Sequence, residues 1–445
     1  MKNRKLVEMD KLDLFKRCHV NTNDDGDRFV GVKVDENNAA VYFPIGYELP
    51  NTDQELRRDI INLISILAEF TKQKDKLISI RKFIEAQTVN FPINAYMTII
   101  DYFMQRKNYY TETEQQFKVG DRGKTDWGRT IKYQRPIMQA NGSPVYLQRQ
   151  IRDSAQKDRN LITQIHEYCV YESFTKLGWL FTTSMPKKPT LPFQKNMFLS
   201  IVNDKLRHTF NDKDKRLFQS MIDMINYIDE HSSQKNFYFG TDYFEYVWEK
   251  LIDKAFGVKN KEWYFPRTTW TLSSGKIRNN NALEPDTIMV KENKIYILDA
   301  KYYRYGITGE LKHLPESTSI NKQITYGEYV HTENKFKQKF GENIVVYNAF
   351  LIPYNKNENY FNLSSNYAFI GEATGDWKSN GHTFEKVQGI VVDTRYLMYH
   401  YIGNKQKQIQ QMVETIESAF INFNIYLERP NDSICEKTIQ ITQVV

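Results

Sequence analysis

The chain has 445 residues, with 61 Lys and Arg against 54 Asp and Glu and a formal charge of +7. That length can bury at least two cores, while no apolar run approaches the roughly 20 residues of a membrane-spanning helix. The charged start Met1-Lys-Asn-Arg-Lys lacks a signal peptide's apolar stretch, and Cys18, Cys169 and Cys435 have no paired spacing for zinc or a disulfide framework, so a soluble cytoplasmic protein without membrane contact is expected.

Residues 1–155 read as a mixed α/β domain. Arg28–Val34 and Ala39–Phe43 look like strands joined by the turn Asp35-Glu-Asn-Asn38. Thr52-Asp-Gln-Glu55 is a capping-box pattern, and Leu56, Ile60, Leu63, Ile64 and Leu67 recur at helical spacing behind it. A second helix is expected over Ile93–Arg106. Between Lys118 and Arg135 six basic residues mix with two aromatics and two acids, and the glycines there favour loops or a hairpin. Lys124, Arg129, Lys132 and Arg135 are candidates for contacts to DNA phosphates; a solvated hairpin or a docking surface for another subunit are the alternatives. Pro186, Pro189 and Pro192 then mark a linker or rigid surface loop.

The second part, 156–445, carries the chemistry. Thr241 to Gly257 reads as a helix capped by Thr241 or Asp242 and ended by Gly257, with Phe244, Val247, Trp248, Leu251, Ile252 and Ala255 as its apolar face. Glu245 borders that face and is a candidate acid, or simply a surface residue; Glu249 reads as the sequence neighbour of Lys250. Lys294-Ile-Tyr-Ile-Leu298 reads as a buried strand between a Pro285-Asp286 step and the triplet Asp299-Ala300-Lys301. Strand alternation puts Ile295, Ile297, Asp299 and Lys301 on one face. Two carboxylates and an ammonium gathered there suit a divalent metal and an activated water; the bland alternative is a solvated Asp299–Lys301 ion pair capping a strand end. A helix from about Ser319 places Lys322, Gln323 and Tyr326 on neighbouring turns, where they could hold a phosphate or orient a water. Asn343–Pro353 and Val387–Met398 read as further strands, and Gln408–Phe420 as a closing helix.

The order helix with Glu, Pro-Asp, Asp-Ala-Lys, then helix with Lys-Gln and Tyr resembles the PD-(D/E)xK nuclease superfamily. More narrowly, Phe29–Val34, Val41–Gly46, Asp59–Phe70, Asp126–Ile131 and Leu298–Tyr303 resemble the LlaJI family of restriction endonucleases, which is similar to the nuclease subunit of McrBC-type systems. The resemblance implies an α/β fold with a mixed sheet flanked by helices, a recognition or partner-docking domain over 1–155 and an endonuclease domain over 156–445. It implies Asp286, Asp299 and the Ala300 carbonyl as Mg²⁺ ligands with Mn²⁺ as substitute, Lys301 on the water or phosphate, Glu245 as accessory ligand and Gln323 as a further catalytic group, with Lys322 beside the DNA.

The implied activity is Mg²⁺-dependent cleavage of foreign double-stranded DNA in a bacterial restriction system, with an AAA+ GTPase as partner. Gly123-Lys124-Thr125 is the nearest approach to a phosphate-cradling loop, but Lys118 stands where its first glycine belongs, so nucleotide hydrolysis is expected of another chain. A stand-alone type II enzyme acting as a homodimer, and a non-catalytic DNA-binding or assembly protein on the same scaffold, are the alternatives.

Overall fold

The computed structural model describes residues 7–8, 14–20, 28–34, 39–72, 91–157, 160–182, 184–230, 237–379, 381–403 and 405–427. The expected turn at Asp35–Asn38 and Cys435 lie outside them. The fold is mixed α/β. Two compact units form, one drawn from Met1–Leu14, Lys33–Ala39 and Val89–Phe239, the other from Phe15–Val32, Ala40–Thr88 and Gly240–Val445. They interleave along the chain rather than parting at residue 155.

The first unit contains the expected helix Ile93–Arg106 and three more, Leu161–Leu177, Lys195–His208 and Asp212–Glu230. Tyr96, Ile99, Phe174, Phe198 and Phe218 are fully or almost fully buried. The expected hairpin region is a three-stranded antiparallel sheet in which Arg149–Lys157 lies between Glu112–Gly120 and Lys124–Thr125. A short helix, Trp127–Tyr133, follows, its amide at Arg129 bonded to the Asp126 carboxylate at 3.0 Å.

The second unit is built on a five-stranded sheet, with β1 Thr287–Lys291, β2 Lys294–Ala300, β3 Val345–Tyr354, β4 Tyr367–Thr374 and β5 Lys386–Asp393 in the order β1-β2-β3-β5-β4. The β2-β3 and β3-β5 pairs are parallel, and the outer pairs antiparallel. The sequence pattern explains this split. The inner strands are almost wholly buried apolar runs, as a parallel sheet covered on both faces requires. Among its helices are α1 Asp53–Lys72, α2 Phe244–Phe256, α3 Ser317–Thr332, α4 Thr394–His400 and α5 Lys405–Leu427.

The strand expected to continue to Met398 stops at Asp393. Its carboxylate accepts from the Tyr396 amide at 2.7 Å and starts α4 instead. Likewise α2 begins at Phe244 with Tyr243 as its cap, because the Thr241 hydroxyl takes the Tyr243 amide at 3.0 Å in a local turn.

Ile295 and Ile297 of β2 form one core with Tyr326 and Val330 of α3 and with Ile288, Phe336 and Val346. Residues 40–72 belong to the same unit because their polar groups are answered there. The Ile45 amide donates to the Tyr302 hydroxyl at 2.7 Å, and its carbonyl accepts from Thr394 at 2.9 Å. Asp59 of α1, wholly buried, takes Arg395 of α4 at 2.9 and 3.3 Å and also the Tyr399 hydroxyl.

Removing one partner of a buried pair leaves the other charge desolvated. Asp59→Ala is therefore expected to destabilise the protein by about 3 kcal/mol, read as a lower denaturant midpoint. The double variant Asp59→Leu/Arg395→Met should recover most of that loss, whereas an unchanged midpoint in the single variant would show that the pair does not hold α1 in place.

Candidate active site

β1 and β2 form a hairpin whose register sets Thr287 opposite Leu298. Extending it by two places sets Pro285 opposite Ala300, and proline has no N–H with which to continue the ladder. That leaves the Ala300 carbonyl without a ladder donor from β1, while the Ala300 amide donates to the Asp286 carboxylate at 2.9 Å. A strand residue's N–H and C=O leave the same edge, so the Ala300 carbonyl is directed to that side too.

Two further contacts fix this loop. Lys261 donates to the Asp286 carbonyl at 2.7 Å and pairs with Asp253 of α2 at 3.2 Å. On β3, the Leu351 carbonyl accepts both the Lys301 amide at 3.0 Å and the indole of Trp248 in α2 at 3.2 Å. Sheet, helix and loop are thus tied together at one level, that of Asp299.

Asp299 is buried, and its carboxylate pairs with the Lys301 ammonium, which is itself only 17% exposed. Such a pair is neither the solvated strand cap of the bland alternative nor a surface bridge. Burial pushes the Asp286 carboxyl well above the usual carboxylate range; the charges of Asp299 and Glu249 add to this, as does a hydrogen bond from Asp286 to Asp299, while the Ala300 amide opposes it. Glu249 is raised as well, by burial first and then by Asp299, with Lys301 opposing. The result is three acids close together, two of which hold their protons more tightly through burial and one another's charge.

Glu245 was expected as the third acid; the α2 acid whose charge bears on Asp286 is Glu249. The two are one turn apart on α2, and Glu245 bears on Glu249 and on Tyr302. Gln323 is buried, and its amide donates to the Ile297 carbonyl at 2.6 Å, fastening α3 to the middle of β2. Tyr326 joins the site: it is 1% exposed, its hydroxyl lacks a hydrogen-bond partner among the described residues, and after burial the charges of Asp299 and Asp286 do most to raise its pKa. Lys322 stays exposed, its ammonium 5.5 Å from the Tyr326 ring centre.

The other basic candidates belong to the first unit. Lys124 lies on the short strand paired to Ile151 and Arg152, Arg129 stacks over Phe117 at 3.6 Å, Lys132 is 5.4 Å from the Tyr133 ring centre, and Arg135 is exposed. Lys124 and Thr125 are part of that sheet, with Gly123 in the bend before them.

Among the described residues no three His, Cys, Asp or Glu side chains converge as a ready-made metal cage. The donors present are nonetheless hard oxygens, two carboxylates and a carbonyl, with Glu249 close enough for its charge to act on Asp286. That fits Mg²⁺, which is usually held by one or two carboxylates and keeps several waters.

The family model of the LlaJI restriction endonuclease matches residues 29–392. The chain belongs to the LlaJI restriction endonuclease family. Membership makes DNA the substrate and strand cleavage the reaction class. No curated protein matches the chain. Among solved structures it is similar to a chain in a half-complex from a tetradecameric assembly of Thermococcus gammatolerans McrB AAA+ hexamers with bound McrC, at 13% identity, a TM-score of 0.34, and coverage of 87% of this chain and 83% of that one. A likeness that distant decides neither fold nor partner. No helix among the described residues is long and apolar enough to cross a membrane.

The placement of the two glutamates is testable. Glu249→Gln should slow DNA cleavage by roughly ten- to a hundredfold, the usual range for a group that supports a metal ligand, while Glu245→Gln changes it much less. The reverse order in initial plasmid-cleavage rates would return the role to Glu245.

Proposed function

We propose that this LlaJI-family protein is a Mg²⁺-dependent DNA endonuclease of a restriction system, with a PD-(D/E)xK centre at the end of β2. The observation that carries it is the placement of Asp286 beside Asp299 at the end of β2, with Lys301 paired to Asp299 and the Ala300 amide bonded to Asp286. Asp286, Asp299 and the Ala300 carbonyl would hold the ion, with Mn²⁺ as a substitute. When bound, Mg²⁺ lowers the pKa of a coordinated water and neutralises charge on the scissile phosphate.

The chain's own groups supply the rest. Lys301, released from Asp299 as that carboxylate takes up its ligand role, has an ammonium free to donate to the phosphate or to hold the attacking water. Glu249 adds negative charge to the centre and supports the ligands. Gln323 is a positioning residue: its bond to Ile297 sets how α3 lies on β2, and with it where Tyr326 and Lys322 stand. The Tyr326 hydroxyl, buried and unpartnered, is available to donate to a water or a phosphate oxygen. On the first unit, Lys124, Arg129, Lys132 and Arg135 are proposed to contact DNA phosphates.

The proposal extends to a partner. The sequence resemblance to McrBC nuclease subunits, and the use of Lys124 and Thr125 in a sheet, support a separate AAA+ GTPase as the motor. Plasmid cleavage with Mg²⁺, on unmodified and methylated DNA, tests both levels. Wild type should cut in the presence of the GTPase and GTP, and Asp299→Ala should lose activity by at least about a thousandfold, as expected where loss of a metal ligand removes several kcal/mol of charge stabilisation. Cutting by wild type alone would establish a self-sufficient restriction enzyme. Equal activity in Asp299→Ala would show that the acids are structural.

A further inference from the structure

Residues Arg267–Thr271 and Ile277–Ala282 form an antiparallel two-stranded ribbon. Every residue of its first strand is exposed, and so is most of the second. A lone hairpin is marginally stable, and this one presents large side chains to solvent on a scaffold that has no need of them for a core. Trp270 is 61% exposed and Ile277 68%.

The register sorts its side chains. Trp270 faces Arg278, while Thr269 faces Asn279 and Thr271 faces Ile277. Alternation then puts Thr268, Trp270, Leu272, Lys276, Arg278 and Asn280 on one side. A 2.9 Å hydrogen bond from Asn280 to Thr268 confirms that pairing, and one of 2.9 Å from Thr269 to Asn279 confirms the opposite side.

Charge and place add to this. From Arg267 to Leu283 there are three basic residues and no acidic one. Neither Lys276 nor Arg278 has an ion-pair partner among the described residues. The tip stands clear: a Cβ on Gly275 would meet nothing within 4 Å. At the base, the Leu283 amide closes onto the Pro266 carbonyl at 2.9 Å, and Glu284, Pro285 and then Asp286 follow directly. The ribbon is thus an outgrowth of the segment that delivers a proposed metal ligand.

We propose that the Trp270–Arg278 face of this ribbon contacts duplex DNA and helps to present the scissile strand to the Asp286–Asp299 centre. This rests on the chain being a DNA endonuclease. Lys276 and Arg278 supply phosphate contacts, and Asn280 and Trp270 supply groups for base edges or sugar. A two-stranded ribbon has the dimensions to enter a major groove, and its positive charge complements the polyanion.

The test is binding of a fluorescent duplex by the full-length protein without divalent metal, followed by anisotropy over a range of salt concentrations. Trp270→Ala/Lys276→Ala/Arg278→Ala should weaken binding by about tenfold or more and reduce the salt slope by about 2, one unit for each phosphate no longer neutralised. Thr271→Ala/Ile277→Ala, on the other side, should stay within about twofold of wild type. Exposed positions should leave the melting transition unchanged, which separates weaker DNA binding from a damaged fold. If wild type binds and cuts DNA but the triple variant matches it in affinity and slope, the ribbon proposal is wrong and the nuclease reading survives. If wild type neither binds nor cuts duplex under any condition, both fall. Loss of self-association in sedimentation with unaltered DNA binding would make the ribbon a protein interface and overturn the proposal.

Discussion

The candidate site depends on a strand that ends two residues early. Pro285 has no N–H to give the Ala300 carbonyl, the β1–β2 ladder stops at Thr287, and the Asp286 carboxylate takes the Ala300 amide in place of a backbone carbonyl. That single substitution of a side chain for a backbone partner sets Asp286 against Asp299. Everything else at this level serves to hold two like charges together: Lys261 grips the loop from behind, Trp248 fixes α2 to β3, and Lys301 offsets part of the charge.

Such a pair is costly without a cation. Two neighbouring carboxylates cannot both ionise freely in a partly desolvated place, and the raised pKa of Asp286 is the expression of that cost. Structural proteins avoid this arrangement or neutralise it fully. Here Glu249 lies near enough that its own pKa is raised as well, by burial first and then by Asp299. Perturbed carboxyls with a named cause are a recognised mark of functional sites, although ion-pair networks can produce them too.

The motif residues were legible in the sequence because they sit where local rules are strong. A Pro-Asp step, an apolar strand and an Asp-Ala-Lys end give their positions almost without tertiary information. Which α2 acid lies nearer Asp286 was not legible, since Glu245 and Glu249 are one turn apart and only the rotation of α2 against the sheet separates them. Gln323 was expected to hold a phosphate or orient a water, whereas its amide donates to a backbone carbonyl, a partner that sequence does not display. The grouping of α1 with the nuclease sheet rests on Asp59 and Arg395, 336 residues apart. The ribbon at 267–282 was missed because both its faces are wet, so neither carries the apolar alternation by which strands are recognised. The edge strand β4 escaped for a related reason, as most of its residues are only half-buried.

The central claim is that Asp286 and Asp299 form a divalent-metal site rather than a structural acid pair. Calorimetric titration of metal-free protein with Mn²⁺ addresses it directly, since it requires neither DNA nor a partner. Saturable binding by wild type that is lost in both Asp286→Asn and Asp299→Asn, with folding intact, is the predicted result. No binding by wild type, or equal binding by the variants, would contradict it.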